Sequence, residues 1–540
     1  MGVEVLLIGL DGATFSVLDP MVARGVMPFL GRFLAEGVRA DLRTIVPPLT
    51  PPAWTSLMTG RSPGHHGVFD FFRMDSAQSR HIRFSNSHDV SVPTLWDAAT
   101  AAGLRVTALN FPLMFPPPKV AGHVVPGWVP WRQLRLACHP PDLFDRLKAR
   151  PGFEPRELAM DIKLEERATE GCSNAEEYAP WIELHTRREG HWFEIFRHLF
   201  ETEPSDLTAV LFDGVDKLQH LCWRFIDCDT DTAWGAEWER RAHELCLAYF
   251  RHLDGVIERM CAMVGREAAV VIASDHGFGP TRRVFHVNAW LQRQGYLAWS
   301  EAQLARQTER TALLGVGQVA RHTFLMDWDR TRAFATTPTS NGIFIVRGNG
   351  AGRGVPDAQY HAFRERLVRE LLAERDPATG EPLISRVDTR EAAFPGPFTS
   401  MAPDLTLSLA DGGLVSILPS DRLVSPRPAV AGSHRPLGVF LARGPGIRRG
   451  ANAGELSILD VAPILLYGLG LPVPEDLEGR VPEEVFDGEA LRRRPVELGR
   501  ATETPAAPPA PEKDHAPAPA FGEAEEAAVM KRLQELGYIE

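Results

Sequence analysis

The sequence predicts an α/β protein with a mostly parallel central sheet flanked by helices. Three short apolar runs support this fold class, and their sequences are VEVLLIGL, LTAVLF and AAVVIAS. Runs of this kind are typical of strands buried on both faces of a parallel sheet. Segments with helical periodicity separate the runs, as expected of repeating strand–helix units.

Each of the three runs ends on an aspartate. The first leads to Asp11, and the second leads to Asp213 and Asp216. The third leads to Asp275, with His276 beside it. In open α/β sheets, ligands bind outside the carboxyl ends of the strands. These carboxylate and imidazole groups therefore predict one polar site at that edge, and a metal site suits them best.

The elements of the N-terminal part follow in order. The segment PFLGRFLAE predicts a helix over about 28–36. A second helix is expected from near Pro51 to Gly60 with Thr50 at its N-cap, because prolines fit the first turn of a helix. The segment SVPTLWDAATAAGLRVTALNFP predicts a helix ending at Gly103 and then a strand. The pattern weakens over about 112–180, which we interpret as an insertion over the sheet.

The remaining elements include helices over about 179–201, 238–264 and 360–374. The segment APDLTLSLADGGLVSIL resembles two strands joined by a turn. Residues 496–521 are rich in Pro and Ala and predict an extended linker. Residues 522–540 predict an amphipathic helix, acidic early and basic later. We therefore expect one catalytic domain over residues 1–495, followed by a tethered terminal helix.

Composition excludes several classes of function. The chain has 540 residues, 44% of them hydrophobic, and a net charge of −12, which argues against non-specific nucleic-acid binding. No apolar stretch reaches the ~18 residues of a membrane span. The N-terminal MGVEVLLIGLDG lacks a basic leader, and none of the six cysteines forms a Cys-x-x-Cys pair. Reduced thiols and a cytoplasmic location are expected.

Several side chains have the spacing of metal ligands. Asp216 and His220 are four residues apart, so a helix would place them on one face. Asp213 suits either a further ligand or a helix cap, and we favour the cap. The adjacent Asp275 and His276 offer an oxygen and a nitrogen to one ion, as zinc prefers. His434 follows in the turn-like segment GSHRP and matters only together with the others.

Thr50 is the candidate nucleophile. A threonine hydroxyl is a weak nucleophile at its ordinary pKa, and coordination to a metal ion can activate it. A helix N-terminus also favours an anionic phosphoryl group. The residue therefore suits phosphoryl transfer if the metal ligands lie near it.

Taken in chain order, these residues resemble the alkaline phosphatase superfamily, and most closely its type I phosphodiesterase/nucleotide pyrophosphatase branch. The segments TPPAWTSLMTGRSPGHHGVFDF, DKLQHLCW and SDHGFGP carry the resemblance, which covers about residues 3–480. The matching positions are Asp11, Thr50, Asp216, His220, Asp275, His276 and His434.

The resemblance implies an alkaline phosphatase-like fold and a centre with two divalent ions, usually Zn²⁺, with Mn²⁺ as the alternative. One ion would be held by Asp11, Thr50, Asp275 and His276. The other would be held by Asp216, His220 and His434. Thr50 would attack phosphorus and form a phospho-threonine intermediate, and the substrate would be a nucleotide or another small phosphoester.

The sequence departs from the nucleotide pyrophosphatase pattern at one point. An asparagine that helps to bind the phosphoryl oxygens is expected downstream of the nucleophile, but residues 51–70 contain none, and position 53 is Ala53. This version resembles bacterial phosphohydrolase or phosphomutase members. A phosphomonoesterase or phosphomutase therefore stays open as an alternative, as does a non-catalytic binding protein that retains the fold.

Overall fold

The computed structural model describes residues 3–74, 82–158, 178–226, 234–300, 323–348 and 353–501. The chain divides into two compact units. Unit one contains the described residues of Met1–Ser62, Asn86–Gly279 and His434–Pro505, and unit two those of Pro63–Ser85 and Pro280–Ser433. The expectation of one catalytic domain over residues 1–495 stays a prediction. The predicted terminal helix over 522–540 lies outside the described residues.

A large sheet of eight strands forms the centre of unit one. In chain order, its strands are β1 (Val5–Leu10), β2 (Val38–Arg43), β3 (Val106–Leu109), β4 (Gly122–Val125), β5 (Leu207–Phe212), β6 (Ala269–Ala273), β7 (Leu437–Arg443) and β8 (Ala451–Ser457). The spatial order is β8-β2-β7-β6-β1-β5-β3-β4. Only β7 pairs antiparallel with its neighbours. The predicted fold class is confirmed.

The three apolar runs of the sequence form β1, β5 and β6, which are adjacent in the sheet. Val5 of β1 pairs with Leu207 of β5 and with Ala269 of β6. Because the strands are parallel and aligned, their carboxyl ends lie at one edge of the sheet. This alignment brings Asp11 and Asp275 to neighbouring positions.

Helices of unit one surround this sheet. Their bounds are Phe15–Ala23, Pro28–Glu36, Thr50–Thr59, Leu95–Ala101, Leu134–Ala137, Leu143–Lys148, Pro155–Leu158, Tyr178–Thr202, Gly214–Ile226, Glu237–Val264, Val461–Gly468 and Gly488–Arg493. Short 3₁₀ turns occur at Ser87–Asp89 and Ile458–Asp460. The helix predicted over 28–36 is confirmed. None of the helices in the described ranges combines the length and the hydropathy that a bilayer crossing requires.

Two expectations for unit one need correction. The stretch 112–180 was expected to lie over the sheet, yet β4 lies within it and is the edge strand, paired with β3. The predicted linker over 496–521 begins later than expected, because Leu498–Gly499 pairs with Val473–Pro474. The part of that linker from residue 502 onward lies outside the described residues, as does 159–177 of the stretch 112–180.

Unit two contains smaller sheets. An antiparallel sheet joins Ala333–Phe334, Gly342–Ile345, Leu405–Leu409 and Ile384–Thr389, in that spatial order. Another contains Leu414–Ser416, Gly277–His286 and Val424–Arg435, and a third pairs Phe72–Met74 with Ile82–Phe84. Its helices are Pro63–His66, Val287–Arg293, Tyr360–Ala373 and Arg390–Ala393, with 3₁₀ turns at Thr323–Leu325, Asp357–Gln359 and Thr399–Met401.

The strand pair predicted in APDLTLSLADGGLVSIL is not a hairpin. Leu405–Leu409 belongs to the antiparallel sheet, whereas Leu414–Ser416 pairs in parallel with the end of Gly277–His286. Both strands exist as predicted, but they pair with different partners. The turn signal between them therefore marks a crossing from one sheet to another.

Candidate metal centre

All seven predicted site residues lie in unit one. Five of them are fully buried, namely Asp11, Thr50, Asp216, Asp275 and His276. His220 is 3% exposed, and the side chain of His434 is 9% exposed. Together they form one buried polar cluster at the carboxyl edge of the large sheet.

Asp11, Asp275 and His276 form the strand-end group, because Asp11 follows β1 directly and the other two come just after the end of β6. The Nε2 atom of His276 lies 3.3 Å from a carboxylate oxygen of Asp275 and 3.6 Å from one of Asp11. One donor atom from each of the three residues lies within 4.8 Å of the others. These residues could hold one metal ion.

The loop after β1 permits this close packing only with glycine at position 12. Gly12 has φ +67°, and a Cβ there would lie 2.8 Å from the ring of Phe278. Its N–H donates to Asp275 Oδ1 at 3.2 Å, and its carbonyl accepts from the side chain of Gln219 at 2.8 Å. The loop is thereby tied to the segment after β6 and to the helix Gly214–Ile226.

Thr50 lies beside the strand-end group. It is the first residue of the helix Thr50–Thr59 rather than the N-cap, which is Leu49. Its hydroxyl oxygen lies 3.2 Å from His276 Nε2. The helix packs closely on β1, because a Cβ at Gly9 would lie 2.8 Å from the ring of Trp54. This contact fixes the distance of Thr50 from the end of β1.

Asp216, His220 and His434 form the helix group. Asp216 and His220 lie one turn apart on the helix Gly214–Ile226, and His434 lies near the end of the strand Val424–Arg435. One oxygen of Asp216 is 3.4 Å from His220 Nε2 and 3.3 Å from His434 Nε2. The two imidazole nitrogens are 3.1 Å apart. This arrangement has the donors of a second metal site.

The two groups are contiguous. The rings of His276 and His434 stack with their centroids 3.7 Å apart. Asp216, His276 and His434 also bring one donor atom each within 4.8 Å of one another. Backbone carbonyls orient two of the rings, since His276 Nδ1 lies 3.1 Å from Gly277 O and His434 Nδ1 lies 2.8 Å from Pro48 O. The Nε2 atoms of these rings therefore face the cluster.

The start of the helix Gly214–Ile226 is held by residues that sequence reasoning missed. Glu189 Oε1 accepts hydrogen bonds from Gly214 N and from the Tyr249 hydroxyl, both at 2.8 Å. The side chain of Asp213, which we expected to cap this helix, instead accepts from Asn110 at 3.3 Å and lies 3.7 Å from Arg188. Glu189 thus satisfies a free N–H of the first turn from another helix.

The electrostatics of the cluster follow from burial. Burial raises the pKa of Asp11 and of Asp275 well above the ordinary range, and neighbouring carboxylates reinforce the shift at Asp11. Burial also raises the pKa of Asp216, but His220, His434 and Lys217 outweigh it and hold that pKa well below its usual value. Burial lowers the pKa of His220 to about 4 and that of His276 well below its ordinary value. Both imidazoles are neutral at pH 7, as metal binding requires.

Lys217 is a second feature that the sequence did not single out. It follows Asp216 directly, is fully buried, and places its ammonium 3.6 Å from Asp216 Oδ2. The ammonium also lies 4.5 Å from the centroid of the Trp128 ring. A buried cation here offsets part of the charge of the three carboxylates. The role of Lys217 depends on its being buried, and a single sequence does not show whether a lysine is buried.

The donor set fits divalent metal ions. Ligands bound at about 2.0–2.1 Å in tetrahedral geometry lie about 3.3–3.4 Å apart, close to the separations in both groups. Among the described residues, no hydrogen bond reaches either carboxylate oxygen of Asp11 or Oδ2 of Asp275, although all three atoms are buried. Burying polar atoms without hydrogen bonds is costly, and a bound metal ion would satisfy these oxygens. The cluster therefore has the chemistry of a metal centre.

Comparison with known families gives one decisive match. The family described as type I phosphodiesterase/nucleotide pyrophosphatase matches residues 5–426. The chain belongs to this family. As a member of the type I phosphodiesterase/nucleotide pyrophosphatase family, it is a phosphoester hydrolase, so the alternative of a non-catalytic binding protein is not retained. The resemblance stated from the sequence is confirmed.

Solved structures share the fold of this family member. Human ectonucleotide pyrophosphatase/phosphodiesterase 5 matches with a TM-score of 0.50 and 13% identity, covering 89% of this chain and 99% of that one. Phosphonoacetate hydrolase from Sinorhizobium meliloti 1021, in complex with phosphonoformate, matches with a TM-score of 0.50 and 16% identity, covering 87% and 95%. No match to a curated protein sequence was found.

Proposed function

We propose that this chain is a metal-dependent phosphodiesterase that acts through a phospho-threonine intermediate on Thr50. One observation carries the proposal: the hydroxyl oxygen of Thr50 lies 3.2 Å from His276 Nε2, inside the buried cluster of carboxylates and imidazoles. A nucleophile that lacks a strong base of its own is activated by a neighbouring metal site. Family membership supports the same chemistry.

In this proposal, the strand-end group and Thr50 would hold one ion, and the helix group would hold the other. Three imidazoles among the ligands favour Zn²⁺ over Mn²⁺. When bound, such ions supply a lowered hydroxyl pKa and positive charge for the phosphoryl oxygens. A cytoplasmic location is part of the proposal, and the buried free thiols of Cys138, Cys222, Cys246 and Cys261 support it.

The protein itself contributes the position of the nucleophile. Thr50 attacks phosphorus, the bond to the leaving oxygen breaks, and water then cleaves the phospho-threonine and restores the hydroxyl. The helix dipole favours the anion, but the first turn offers few donors. Pro51 and Pro52 have no N–H, and Ala53 N donates to Leu49 O. Lys217, whose ammonium lies 3.6 Å from Asp216 Oδ2, is a nearby protein group that adds positive charge.

A phosphomonoesterase or phosphomutase is the second candidate on the same residues. The absence of an asparagine from residues 51–70 favours it, because the phosphoryl pocket then differs from the nucleotide pyrophosphatase pattern. A substrate with a carbon–phosphorus bond is a further option to test, since a phosphonoacetate hydrolase shares the fold. In each case the substrate would be a small phosphorylated molecule.

The test compares hydrolysis of bis-p-nitrophenyl phosphate, p-nitrophenyl phosphate and phosphonoacetate, with added zinc or manganese. Native protein is expected to cleave the diester fastest, and Thr50→Ala is expected to lose activity although Asp11, Asp275 and His276 stay in place. Thr50→Ser is the matched control and should keep measurable activity. Faster monoester or phosphonate cleavage would replace the diester assignment. Full activity of Thr50→Ala would refute the nucleophile.

A further inference from the structure

A second cavity, of about 480 Å³, lies in unit one. The segment 147–153, the helix Tyr178–Thr202 and the helix Glu237–Val264 form its walls. None of the seven predicted site residues lines it. The proposed activity therefore leaves this cavity without a role.

Positive charge is concentrated in the cavity. Each of the three walls contributes one arginine, namely Arg150, Arg187 and Arg259, whereas Glu194 is the carboxylate among the lining residues. Glu194 is already paired with Arg197, at 2.5 Å. The whole chain carries a net charge of −12, so a cationic cavity departs from the general character of the protein. Converging arginines of this kind are typical of anion sites.

Two of the three arginines have no carboxylate within 4 Å among the described residues, although both add at longer range to the effect of Arg197, which lowers the pKa of Glu194. Arg187 pairs with Glu157 at 3.1 Å. By contrast, Arg150 donates to the ring nitrogen of His198 at 2.7 Å, and Arg259 donates to Gly255 O at 3.2 Å. Both of these acceptors are uncharged, since burial lowers the pKa of His198. Neither guanidinium group is thus held in a close ion pair, and both can contact a bound anion.

The rest of the lining suits the apolar part of a small organic molecule. Leu147, Phe153 and Phe193 line the cavity, and the Arg259 guanidinium lies 4.2 Å from the centroid of the Phe193 ring. His252 Nε2 is buried there, and no hydrogen bond within the described part of the chain reaches it. Gly190 leaves the helix face bare, because a Cβ would meet only His252, at 3.6 Å. The cavity therefore combines cationic, hydrogen-bonding and apolar surfaces.

We propose that this cavity is a second ligand site, which binds a small organic phosphate through Arg150 and Arg259 and packs its apolar body against Phe153 and Phe193. Guanidinium groups bind phosphoryl oxygens in bidentate geometry, and aromatic rings add contact area. The site is distinct from the metal cluster, and the inference holds whatever substrate that cluster takes.

Isothermal titration of the full-length, metal-loaded protein with phenylphosphonate tests the proposal, because this probe has an aromatic body and no phosphoester bond. Native protein should bind it at a site that inorganic phosphate occupies at least tenfold more weakly. The double variant Arg150→Gln with Arg259→Gln should weaken that binding at least tenfold and leave hydrolysis of bis-p-nitrophenyl phosphate unchanged. Neither substitution breaks a close ion pair with a carboxylate of the described residues.

Two further variants make the test decisive. Gly190→Leu fills the cavity without changing its charge and should also abolish the binding. Arg135→Gln removes an exposed arginine that does not line the cavity, and it should bind as native protein does. The proposal is overturned if the double variant and Gly190→Leu both bind phenylphosphonate normally. It is also overturned if Asp275→Asn abolishes all of the binding, since the probe would then occupy only the metal cluster.

Discussion

The strand-end group and the helix group have similar donors but are positioned by different means. Asp11 and Asp275 follow two adjacent parallel strands, β1 and β6, whose residues pair in register. The helix group instead depends on side-chain contacts. Glu189 holds the start of the helix that carries Asp216, and Pro48 O orients His434 from another part of the chain.

The two groups should therefore differ in their sensitivity to substitutions made far from the site. Backbone hydrogen bonds of a central sheet tolerate most remote substitutions, because no single side chain maintains them. A helix terminus held by one buried carboxyl group loses its position when that group is removed. Remote substitutions should therefore affect the helix group more than the strand-end group.

The largest effect is expected from a change within the strand-end group. Asp275→Asn removes a carboxylate from the group beside Thr50, and losing one preorganised electrostatic partner typically lowers kcat by about 10²–10³-fold. We expect at least about 10²-fold for bis-p-nitrophenyl phosphate, together with a lower metal content. Asp421→Asn, at an exposed position of unit two, is the matched control. Native kcat and metal content in Asp275→Asn would remove this residue from the proposed centre.

The next effect separates the two groups. Glu189→Leu leaves Gly214 N and the Tyr249 hydroxyl without their shared acceptor. Loss of an outer partner of metal ligands typically weakens binding by about 10–100-fold. Titration against a chromogenic chelator should show that the affinity for one ion per chain falls by this amount, while the affinity for the other is unchanged. Glu201→Leu, exposed on the same helix as Glu189, should leave both ions unchanged. An equal loss of affinity for both ions would contradict the view that the two groups are positioned by different means.

A smaller effect is expected at Ser274, which supports the strand-end group. Its hydroxyl is buried, accepts from Val439 N at 2.7 Å and donates to Ala13 O at 3.1 Å. Ser274→Ala leaves the N–H and the carbonyl without this partner, at a cost of about 1–3 kcal/mol in the free energy of unfolding. Urea unfolding measures the change, with the exposed Ser385→Ala as the control. Loss of one metal ion in Ser274→Ala would show that the strand-end group is not set by backbone pairing.

The last expected effect is a change in how stability depends on pH. Burial raises the pKa of Glu189 to about 8, whereas the unfolded carboxyl titrates near its ordinary value. Between these values the folded protein binds more protons, so this group lowers the stability as pH rises, by at most about 1.4 kcal/mol per pH unit. The side chain of Glu189→Gln does not titrate. The free energy of unfolding of this variant should therefore rise relative to that of native protein between pH 5.5 and 7.5. A difference independent of pH would show that Glu189 is ionised throughout this range.

The sequence predicted the centre of the fold better than its edges. The runs that form β1, β5 and β6 are continuous and apolar because both faces of these strands are buried. β2 escaped notice because its residues VRADLR alternate between buried and exposed positions and include charges. β4 escaped notice because it is short and lies at the edge, inside a stretch of irregular composition.

The residues of the site could be predicted from the sequence, but the side chains that hold them in position could not. Strand ends and helical spacing bring Asp11, Asp216, His220 and Asp275 together, as expected, and their roles as ligands stay predictions. Glu189 could not be predicted, because its contact with Gly214 depends on how two helices pack. For the same reason, the sequence did not show that the Asp213 side chain turns away from the helix it precedes.

The antiparallel strand β7 has a consequence for how this protein can vary. The chain leaves the sheet after β6 and returns into β7 beside it, where Ser274 N donates to Val439 O at 3.0 Å. The long segment Pro280–Ser433 therefore starts and finishes at one junction, with His276 and His434 stacked across it. Even for a flexible loop, each doubling in length costs only about 0.6 kcal/mol of closure entropy. Evolution can lengthen, shorten or exchange this segment while the sheet and the candidate metal ligands stay in place.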